Sequence, residues 1–327
     1  MTLRTLRNWK RLDAADPVPS PGRPRVSEEK LAEVREAARG ELDRQGWQAG
    51  EGPIKRALGE RFPISQVRRV LHELKAERRA RARQHAREAR VSVEVKASDA
   101  LWSMDATHLG RDAAGCAVQA EVVREVASTR TIGISVGPAA TGVEVVRLLQ
   151  RVVYQRGGAP LVLLNDNGGQ YVSDAVAAWC VQHGVVHLFS LPRTPQHNAA
   201  SEHGMYELKF DTGLGKGARV LDIEVARAQL EGARDRVDGH RLRCTRGWKT
   251  AVEADRAMPH WSTLVTREAF LEKATCAIAE ALLNSPGKRA QRRAVREAIL
   301  STLESFSLIQ RTRGGRPWTA QEAESVS

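Results

Sequence analysis

Three acidic residues, Asp105, Asp166 and Glu202, have the residue type and spacing of a metal site. Asp105 lies inside the apolar, strand-like stretch LWSMDATHLG, and Asp166 directly follows the apolar run LVLLN. Because an acid inside a strand is costly without a partner, a cation is expected beside Asp105. Carboxylate oxygens are the ligands that Mg²⁺ and Mn²⁺ prefer, and two such ions side by side perform phosphoryl transfer. The three acids therefore predict two-metal chemistry on a nucleic-acid backbone.

Each acid also has an ordinary structural explanation. Asp105 could be a strand-end charge, Asp166 a turn residue of the N-D-N-G-G run, and Glu202 a solvated helix residue. Their combined spacing favours a shared site, since thirty-five residues separate Asp166 from Glu202 and Lys209 follows seven positions later. Helical spacing places Asn198, one turn before Glu202, and Lys209, two turns after it, on the same face.

The elements predicted around these acids form an α/β domain. The order is three strands and a helix, then strand, helix, strand and helix. The ranges are 101–110, 116–126 and 130–137 for the first strands, then 141–157, 159–166, 173–184, 185–190 and 196–213. This order predicts a mixed five-stranded sheet with flanking helices, in which an antiparallel set is followed by parallel strands.

The upstream residues predict helical DNA-binding units. Helices over 27–45, 54–62 and 65–84, the first capped by Ser27 and the third by Ser65, form a helix-turn-helix through a turn at Phe62 and Pro63. Gln66, Arg68 and Arg69 would lie near the edge of the DNA groove. A three-helix bundle with a solvated basic face is the alternative. The basic run 75–90 follows DNA phosphates or serves as a solvated spacer.

The first residues predict a short helix over 2–12 and an extended Pro/Gly linker over 17–25. Arg23 and Arg25 of this linker suit a DNA minor groove, where arginines favour the narrow, negative channel. A plain linker explains the same residues.

The charge distribution indicates a polyanionic partner. The net charge is +12 and the pI about 10.1, yet residues 98–213 carry 8 Lys/Arg against 11 Asp/Glu. Residues 1–97 carry 23 Lys/Arg against 14 Asp/Glu, and residues 214–327 carry 20 Lys/Arg against 14 Asp/Glu. An acidic centre between basic flanks suits a metal site held on DNA, although an Arg-rich genome would also raise the charge.

Other features exclude several classes. The four cysteines form no C-x-x-C pair, which disfavours a zinc site and fits a reducing cytosol. The opening MTLRTLRNWKRLD has no apolar secretory core, and no apolar run reaches the length of a membrane span. We therefore expect a cytoplasmic protein.

At its acidic residues the chain resembles the D-D-E recombinases with a retroviral-integrase-type core, in particular the bacterial insertion-sequence transposases. The matching parts are Asp105, the run Asp166-Asn167-Gly168, the run 194–198 (TPQHN) with Glu202, and Lys209. The resemblance implies a ribonuclease-H-like core, a D-D-E triad holding two Mg²⁺ or Mn²⁺ ions, and DNA cleavage and strand transfer. It also implies that Lys209 contacts terminal DNA phosphates and that residues 192–198 form a mobile loop.

The predicted organisation has five parts. They are a partial helix-turn-helix segment (1–16), a linker (17–26), a helix-turn-helix domain with a basic helix (27–90), an integrase-type core (98–215) and a helical C-terminal region (216–327). The implied partners are double-stranded DNA at element ends and target, a homo-multimer on DNA, and an accessory transposition protein such as an ATPase. The implied location is the bacterial nucleoid.

The flanks depart from the family pattern. Residues 2–12 look like the last helix of a first helix-turn-helix whose beginning is missing, and Ala251 replaces a family proline. Around Glu202 this chain reads AASEHG at 199–204 instead of the usual neighbours. Helices over 265–283 and 288–310 add DNA or protomer contacts, or pack as a subdomain. Two rival functions are an inactive DNA-binding remnant or regulator, and a ribonuclease-H-like nuclease without strand transfer.

Overall fold

The computed structural model describes residues 26–89, 91–191, 199–210 and 212–317. The chain divides into two compact units, Met1–Arg90 and Val91–Ser327. The predicted helix over 2–12, Arg23, Arg25 and Asn198 lie outside the described residues. Within the described ranges, no helix combines the length and apolar content needed to cross a bilayer.

The first unit consists of helices α1 (Glu28–Gln45), α2 (Glu51–Leu58) and α3 (Ile64–Ala89), with a 3₁₀ turn at Gly59–Arg61 before α3. The Ser27 side chain accepts a hydrogen bond from the Lys30 backbone N–H, as the sequence predicts. One apolar stripe of α1 is buried against the other two helices. The buried residues are Val34, Ala38, Leu42, Ile54, Phe62, Val67, Val70, Leu71 and Leu74.

The predicted N-cap of α3 is wrong. Helix α3 begins at Ile64, so Ser65 lies within its first turn rather than before it. The Pro63 carbonyl accepts from the backbone N–H groups of Gln66 and Val67 at 3.0 and 3.2 Å. Proline holds a backbone angle that suits the start of a helix, and its missing N–H is not needed there.

The second unit is built on the predicted mixed five-stranded sheet. Its strands are β2 (Leu101–Arg111), β3 (Ala117–Glu125), β4 (Thr131–Gly137), β5 (Val162–Asn165) and β6 (Val186–Phe189), which follow β1 (Val91–Val95) in the chain. The order across the sheet is β4-β3-β2-β5-β6. β3 pairs antiparallel with β2 and β4, whereas β5 pairs parallel with β2 and β6. This arrangement confirms the predicted ribonuclease-H-like core.

Helices cover both faces of this sheet. α4 (Gly142–Arg156) and α5 (Asp174–Gln182) bury an aliphatic and aromatic layer that includes Trp102 and Trp179. α6 (Ala199–Phe210) and α7 (Ile223–Gly239) cover the other face, with Met205, Leu208 and Leu230 among the buried residues. As predicted, Thr141 caps α4, and Glu144 completes a reciprocal capping box.

The C-terminal part packs against the sheet edge. Its elements are α8 (Ala251–Ala257), α9 (Arg267–Asn284), α10 (Gly287–Ser305), β7 (Ile309–Arg313) and β8 (Arg316–Pro317), with 3₁₀ turns at Cys244–Arg246 and Trp261–Thr263. Phe270 and Ile299 share one buried cluster with Leu164 and Leu188 of the core strands. The C-terminal helices therefore pack into the same hydrophobic cluster as the core strands.

The predicted helix over 288–310 is wrong at its end. α10 stops at Ser305, and Ser307 has a positive φ of 56° that no helix accommodates. Residues Ile309–Arg313 instead form β7, which pairs antiparallel with β1 and extends a small sheet in the order β1-β7-β8. Buried Arg311 pairs with Glu297 and Glu304 of α10, so its charge is compensated beside the helix.

Arg267 links α9 to the central sheet. Its guanidinium donates to the carbonyls of Pro160 and Gly184 at 2.7 and 2.8 Å and to Ala159 at 2.5 Å, and it lies over the Trp261 ring. We expect Arg267→Met to lower the free energy of unfolding by about 2–3 kcal/mol, because three carbonyls lose a charged donor. Urea unfolding measures this. Arg293→Met, an exposed change on α10, is the control, and equal losses in both variants would contradict the assignment.

Candidate catalytic site

The sheet register places the first two predicted acids side by side. Asp105 lies in the middle of β2, and β2 pairs in parallel with β5 up to Ser103 and Leu164. Two residues further along, Asp105 of β2 and Asp166 after β5 come level at the same sheet end. Ligands of α/β sheets gather beyond strand ends of this kind. Asp105 is half-buried, whereas the Asp166 side chain is exposed.

The acids act on one another electrostatically. Burial, together with the negative charges of Asp166, Glu121 and Glu202, raises the pKa of Asp105 to about 7, although the Ala106 backbone N–H opposes the shift. Carboxylates that repel one another in this way favour a bound cation, whose charge offsets the repulsion. The structure thus brings Asp166 and Glu202 close enough to Asp105 for their charges to affect it.

The described residues do not form a closed metal cage. Among them, no group of three His, Cys, Asp or Glu side chains lies close enough together to hold one metal ion. The donor chemistry nevertheless fits a hard divalent cation, because carboxylate oxygens are its preferred ligands and both the burial of Asp105 and the charges of Asp166 and Glu202 disfavour the ionised carboxylate without one. Residues 192–198, which precede α6, lie outside the described part of the chain.

The loop after β5 is fixed by its own hydrogen bonds. Asp166 Oδ1 accepts from the Gly168 backbone N–H at 2.8 Å, and Asn167 Nδ2 donates to the Ser190 carbonyl at 2.9 Å. The Tyr171 backbone N–H donates to the Gly168 carbonyl at 3.0 Å. The N-D-N-G-G run therefore forms a structured turn that holds Asp166 at the strand end.

A fourth acid, Glu121, was not among the predicted site residues. It is buried in β3 opposite Ala106, and its Oε2 accepts from the Tyr171 hydroxyl at 2.5 Å. Burial raises the pKa of Glu121, as does the charge of Asp166. The stretch CAVQAEVVREV contains the signal that would have found it, since an acid within an apolar strand is the same anomaly that singled out Asp105.

Two hydrogen bonds hold α6 against β2 on either side of Asp105. Ser201 Oγ bonds Ser103 Oγ at 2.7 Å, and Lys209 Nζ donates to Thr107 Oγ1 at 2.7 Å. Because Ser103 and Thr107 flank Asp105 on the same strand face, these bonds set the position of the helix that carries Glu202. Lys209 therefore lies within two strand residues of Asp105.

A buried arginine explains the unusual residues around Glu202. Arg124 of β3 is only 1% exposed and lies under Gly204, where an added Cβ would overlap its guanidinium. Glu207, also buried, accepts from Arg243 at 3.0 and 2.9 Å and lies 3.8 Å from Arg124. Burial acts to raise the pKa of Glu207, but the charges of Arg243 and Arg124 lower it below its usual value. A glycine is therefore required at position 204 because Arg124 leaves no space for a Cβ, and not because of the backbone conformation there.

The predicted groove residues of the first unit lie at the start of α3. Arg68 forms an ion pair with Glu51 at 2.7 Å, and Arg69 pairs with Glu73 at 3.1 Å. Both arginines are exposed, so these ion pairs contribute little to stability. Gln66 is half-buried, and its Oε1 has no hydrogen-bond partner among the described residues.

The burial of Asp105 and the repulsion from its neighbouring acids predict that Asp105→Asn stabilises the metal-free protein. The folded-state pKa of Asp105 lies near 7, above the usual 3.8, so its charge costs stability as the pH rises from about 4 to 7. We expect a gain on the order of 2 kcal/mol at pH 8, after allowance for solvent screening, and none near pH 4. Thermal unfolding in EDTA measures this, with exposed Asp235→Asn as the control. A lower stability of Asp105→Asn than of the wild type at pH 8 would contradict the prediction that the Asp105 charge destabilises the metal-free protein.

Comparison with known families and proteins agrees with the geometry. Residues 96–195 match the integrase core domain family. A curated relative, the insertion element IS476 uncharacterized 39.2 kDa protein of Xanthomonas euvesicatoria, is 31% identical over 132 residues. That alignment covers 40% of this chain and 37% of the relative, so this chain spans well under half of its length.

Solved structures of retroviral integrases are also similar. The HTLV-2 integrase catalytic core domain in complex with magnesium is 14% identical, with a TM-score of 0.38, and the match covers 49% of this chain and 97% of that one. A chain of the simian T-cell lymphotropic virus intasome in complex with PP2A regulatory subunit B56 gamma is 15% identical with a TM-score of 0.41. That match covers 68% of this chain and 74% of the other.

Proposed function

We propose that this chain, which carries an integrase core domain of the D-D-E transposase and integrase type, is a transposase that cleaves DNA strands at element ends and joins them to a target. The observation that carries the proposal is the strand register that places Asp105 and Asp166 level at one end of the sheet, where the charge of Glu202 also acts on Asp105. The match of residues 96–195 to the integrase core domain supports the DNA substrate.

Asp105, Asp166 and Glu202 would hold the divalent cations in this proposal. Two Mg²⁺ or Mn²⁺ ions, when bound, supply Lewis acidity for the attacking water or 3′-hydroxyl and for the leaving oxygen of an in-line displacement. The chain's own task is to hold these three carboxylates in place. The turn after β5 fixes Asp166, and the Ser201–Ser103 bond fixes the start of α6.

Lys209 is proposed as a phosphate contact beside the carboxylates. Its ammonium group is held at Thr107, which places one positive charge next to a site of negative charge. A DNA phosphate bound there would have its charge balanced while the strand is aligned over Asp105. Asn198, four residues before Glu202 in the chain, is proposed as a second DNA contact.

The remaining assignments concern the whole chain. The first unit is proposed to bind element ends through Gln66, Arg68 and Arg69, with Arg23 and Arg25 in an adjacent minor groove. Pairing of two DNA ends implies a homo-multimer on DNA, together with an accessory protein where one is needed. A DNA-acting protein of this kind is proposed to work at the bacterial nucleoid.

The test is a product analysis on duplex DNA that carries the element's ends, with Mg²⁺ or Mn²⁺ and with EDTA as the control. Metal-dependent cleavage followed by joined product supports the transposase. Cleavage without joined product supports the ribonuclease-H-like nuclease instead. DNA binding without cleavage at any metal concentration supports the inactive remnant or regulator and contradicts the proposal.

A further inference from the structure

A cavity of about 320 Å³ opens beside the loop that carries Asp166. One wall comes from the ends of β5 and β6, through Asn167 and Ser190, and the other from α9 and α10, through Leu282 and Arg296. Its volume lies in the range of small-ligand pockets, which is about 300–1,000 Å³. Asn167, which lines the cavity, directly follows Asp166 in the chain, so the cavity opens beside the loop that carries one of the three acids.

One side of the cavity is cationic. Lys288 and Arg292 are exposed at its edge, and Arg296 is half-buried, with an Nη1 that has no hydrogen-bond partner among the described residues. Ser190 Oγ lines the same cavity and is also buried without a described partner. The lining residues include no Asp or Glu. Unpaired donors in a positive wall suit an anionic oxygen, and phosphate supplies several.

The burial of Arg296 also favours a bound anion in the cavity. Burial lowers the pKa of Arg296 to about 10. The side chain therefore remains charged at neutral pH, although burial makes this charge unfavourable. A buried charge of this kind is stabilised by a bound anion. Among the described residues, the charge of Glu297, its neighbour on the same helix, opposes the shift.

The other side of the cavity is aromatic and apolar. The rings of His187 and Phe189 lie 4.1 Å apart between centroids, and Leu188 and Val295 extend the apolar surface. His187 Nε2 donates to Asn165 Oδ1 at 3.0 Å, and Asn165 Nδ2 donates to the Met104 carbonyl, which fixes the amide orientation. Burial lowers the pKa of His187 to about 4, so the ring is neutral at pH 7. A nucleobase stacks well on neutral rings of this type.

We propose that this cavity binds a single unpaired nucleotide of the DNA strand that lies at the carboxylates. Its phosphate would be held by Arg296 and Ser190, and its base would lie against His187 and Phe189. A duplex is too wide for the cavity, whereas a nucleotide released from the stack presents both the charge and the flat surface that the two walls require. This inference rests on the proposed function, since it takes DNA as the substrate.

The test compares the affinity of the full chain for two duplexes of equal paired length, measured by fluorescence anisotropy in EDTA so that no strand is cut. One duplex is fully paired, and the other ends in one unpaired 3′ 2-aminopurine nucleotide. We expect the wild type to bind the second about tenfold more tightly and to quench the 2-aminopurine fluorescence. Arg296→Met should remove this preference without changing affinity for the paired duplex. Arg293→Met, exposed on the same helix and outside the cavity, should retain it.

Further variants keep the test decisive if Arg296→Met does not fold. Phe189→Leu should lose the quenching, and Lys288→Ala should reduce the preference severalfold. Equal binding of both duplexes by the wild type, or a preference that survives in Arg296→Met and Phe189→Leu, would overturn this inference alone. Failure to bind either duplex would overturn both the inference and the proposed function.

Discussion

Asp166→Asn should abolish metal-dependent DNA cleavage and joining. The substitution keeps the size of the side chain and its Oδ1, which accepts from the Gly168 backbone N–H, so the turn after β5 should persist. It removes one negative charge from the group that acts on Asp105. A bound metal supplies several kcal/mol of transition-state stabilisation. Since about 1.4 kcal/mol is a factor of ten, we expect a loss of at least about a thousandfold.

The control for this prediction is Asp174→Asn. Asp174 is another exposed aspartate, in the first turn of α5, eight residues after Asp166. Cleavage of an end-labelled duplex should proceed at nearly the wild-type rate in this variant. Both variants should bind the duplex with wild-type affinity and melt at similar temperatures. An Asp166→Asn variant that cleaves as fast as the wild type would show that this residue is not a metal ligand.

Gly204→Ala should destabilise the second unit by about 3 kcal/mol, because the new methyl group would occupy the space of the buried Arg124 guanidinium. Arg124 cannot move away freely, since it lies 3.8 Å from Glu207 in a closed environment. At about 2–4 °C per kcal/mol for a unit of this size, the melting temperature should fall by roughly 6–12 °C. α6 would shift, and cleavage should fall because Glu202 lies on this helix.

Gly232→Ala is the matched control for Gly204→Ala. Gly232 also lies within a helix of the same unit, but its added Cβ meets Arg236 only at an ordinary contact distance of 3.6 Å. We expect this variant to be neutral or more stable by roughly 0.5–1 kcal/mol. The double variant Gly204→Ala with Arg124→Leu should be more stable than the sum of the single effects. Additive losses would show that Arg124 is not what the methyl group meets.

The sequence predicts the core well where apolar runs and carboxylates coincide. Asp105 and Asp166 stand out because an acid within or directly after an apolar strand is anomalous, and both strands form where predicted. Thr141 with Glu144 identifies the start of α4 because a capping box is a local signal. Features set by neighbours in the chain can be found from sequence alone.

Features set by distant residues are not predictable in this way. β7 continues a helical apolar pattern, and only its pairing with β1, more than two hundred residues away, makes it a strand. The role of Gly204 depends on Arg124, and that of Glu121 on Tyr171. In each case the sequence contains the residue but not the contact that determines its conformation.

Joint binding of divalent cations by Asp105, Asp166 and Glu202 is the basis of the proposed function. The most direct measurement is a crystal structure of the full chain grown with Mn²⁺, in which anomalous scattering locates the metal. We expect a Mn²⁺ peak at the carboxylates of Asp105, Asp166 and Glu202 in the wild type and no such peak in Asp166→Asn. Mn²⁺ bound only elsewhere, or the same peak in the variant, would contradict it.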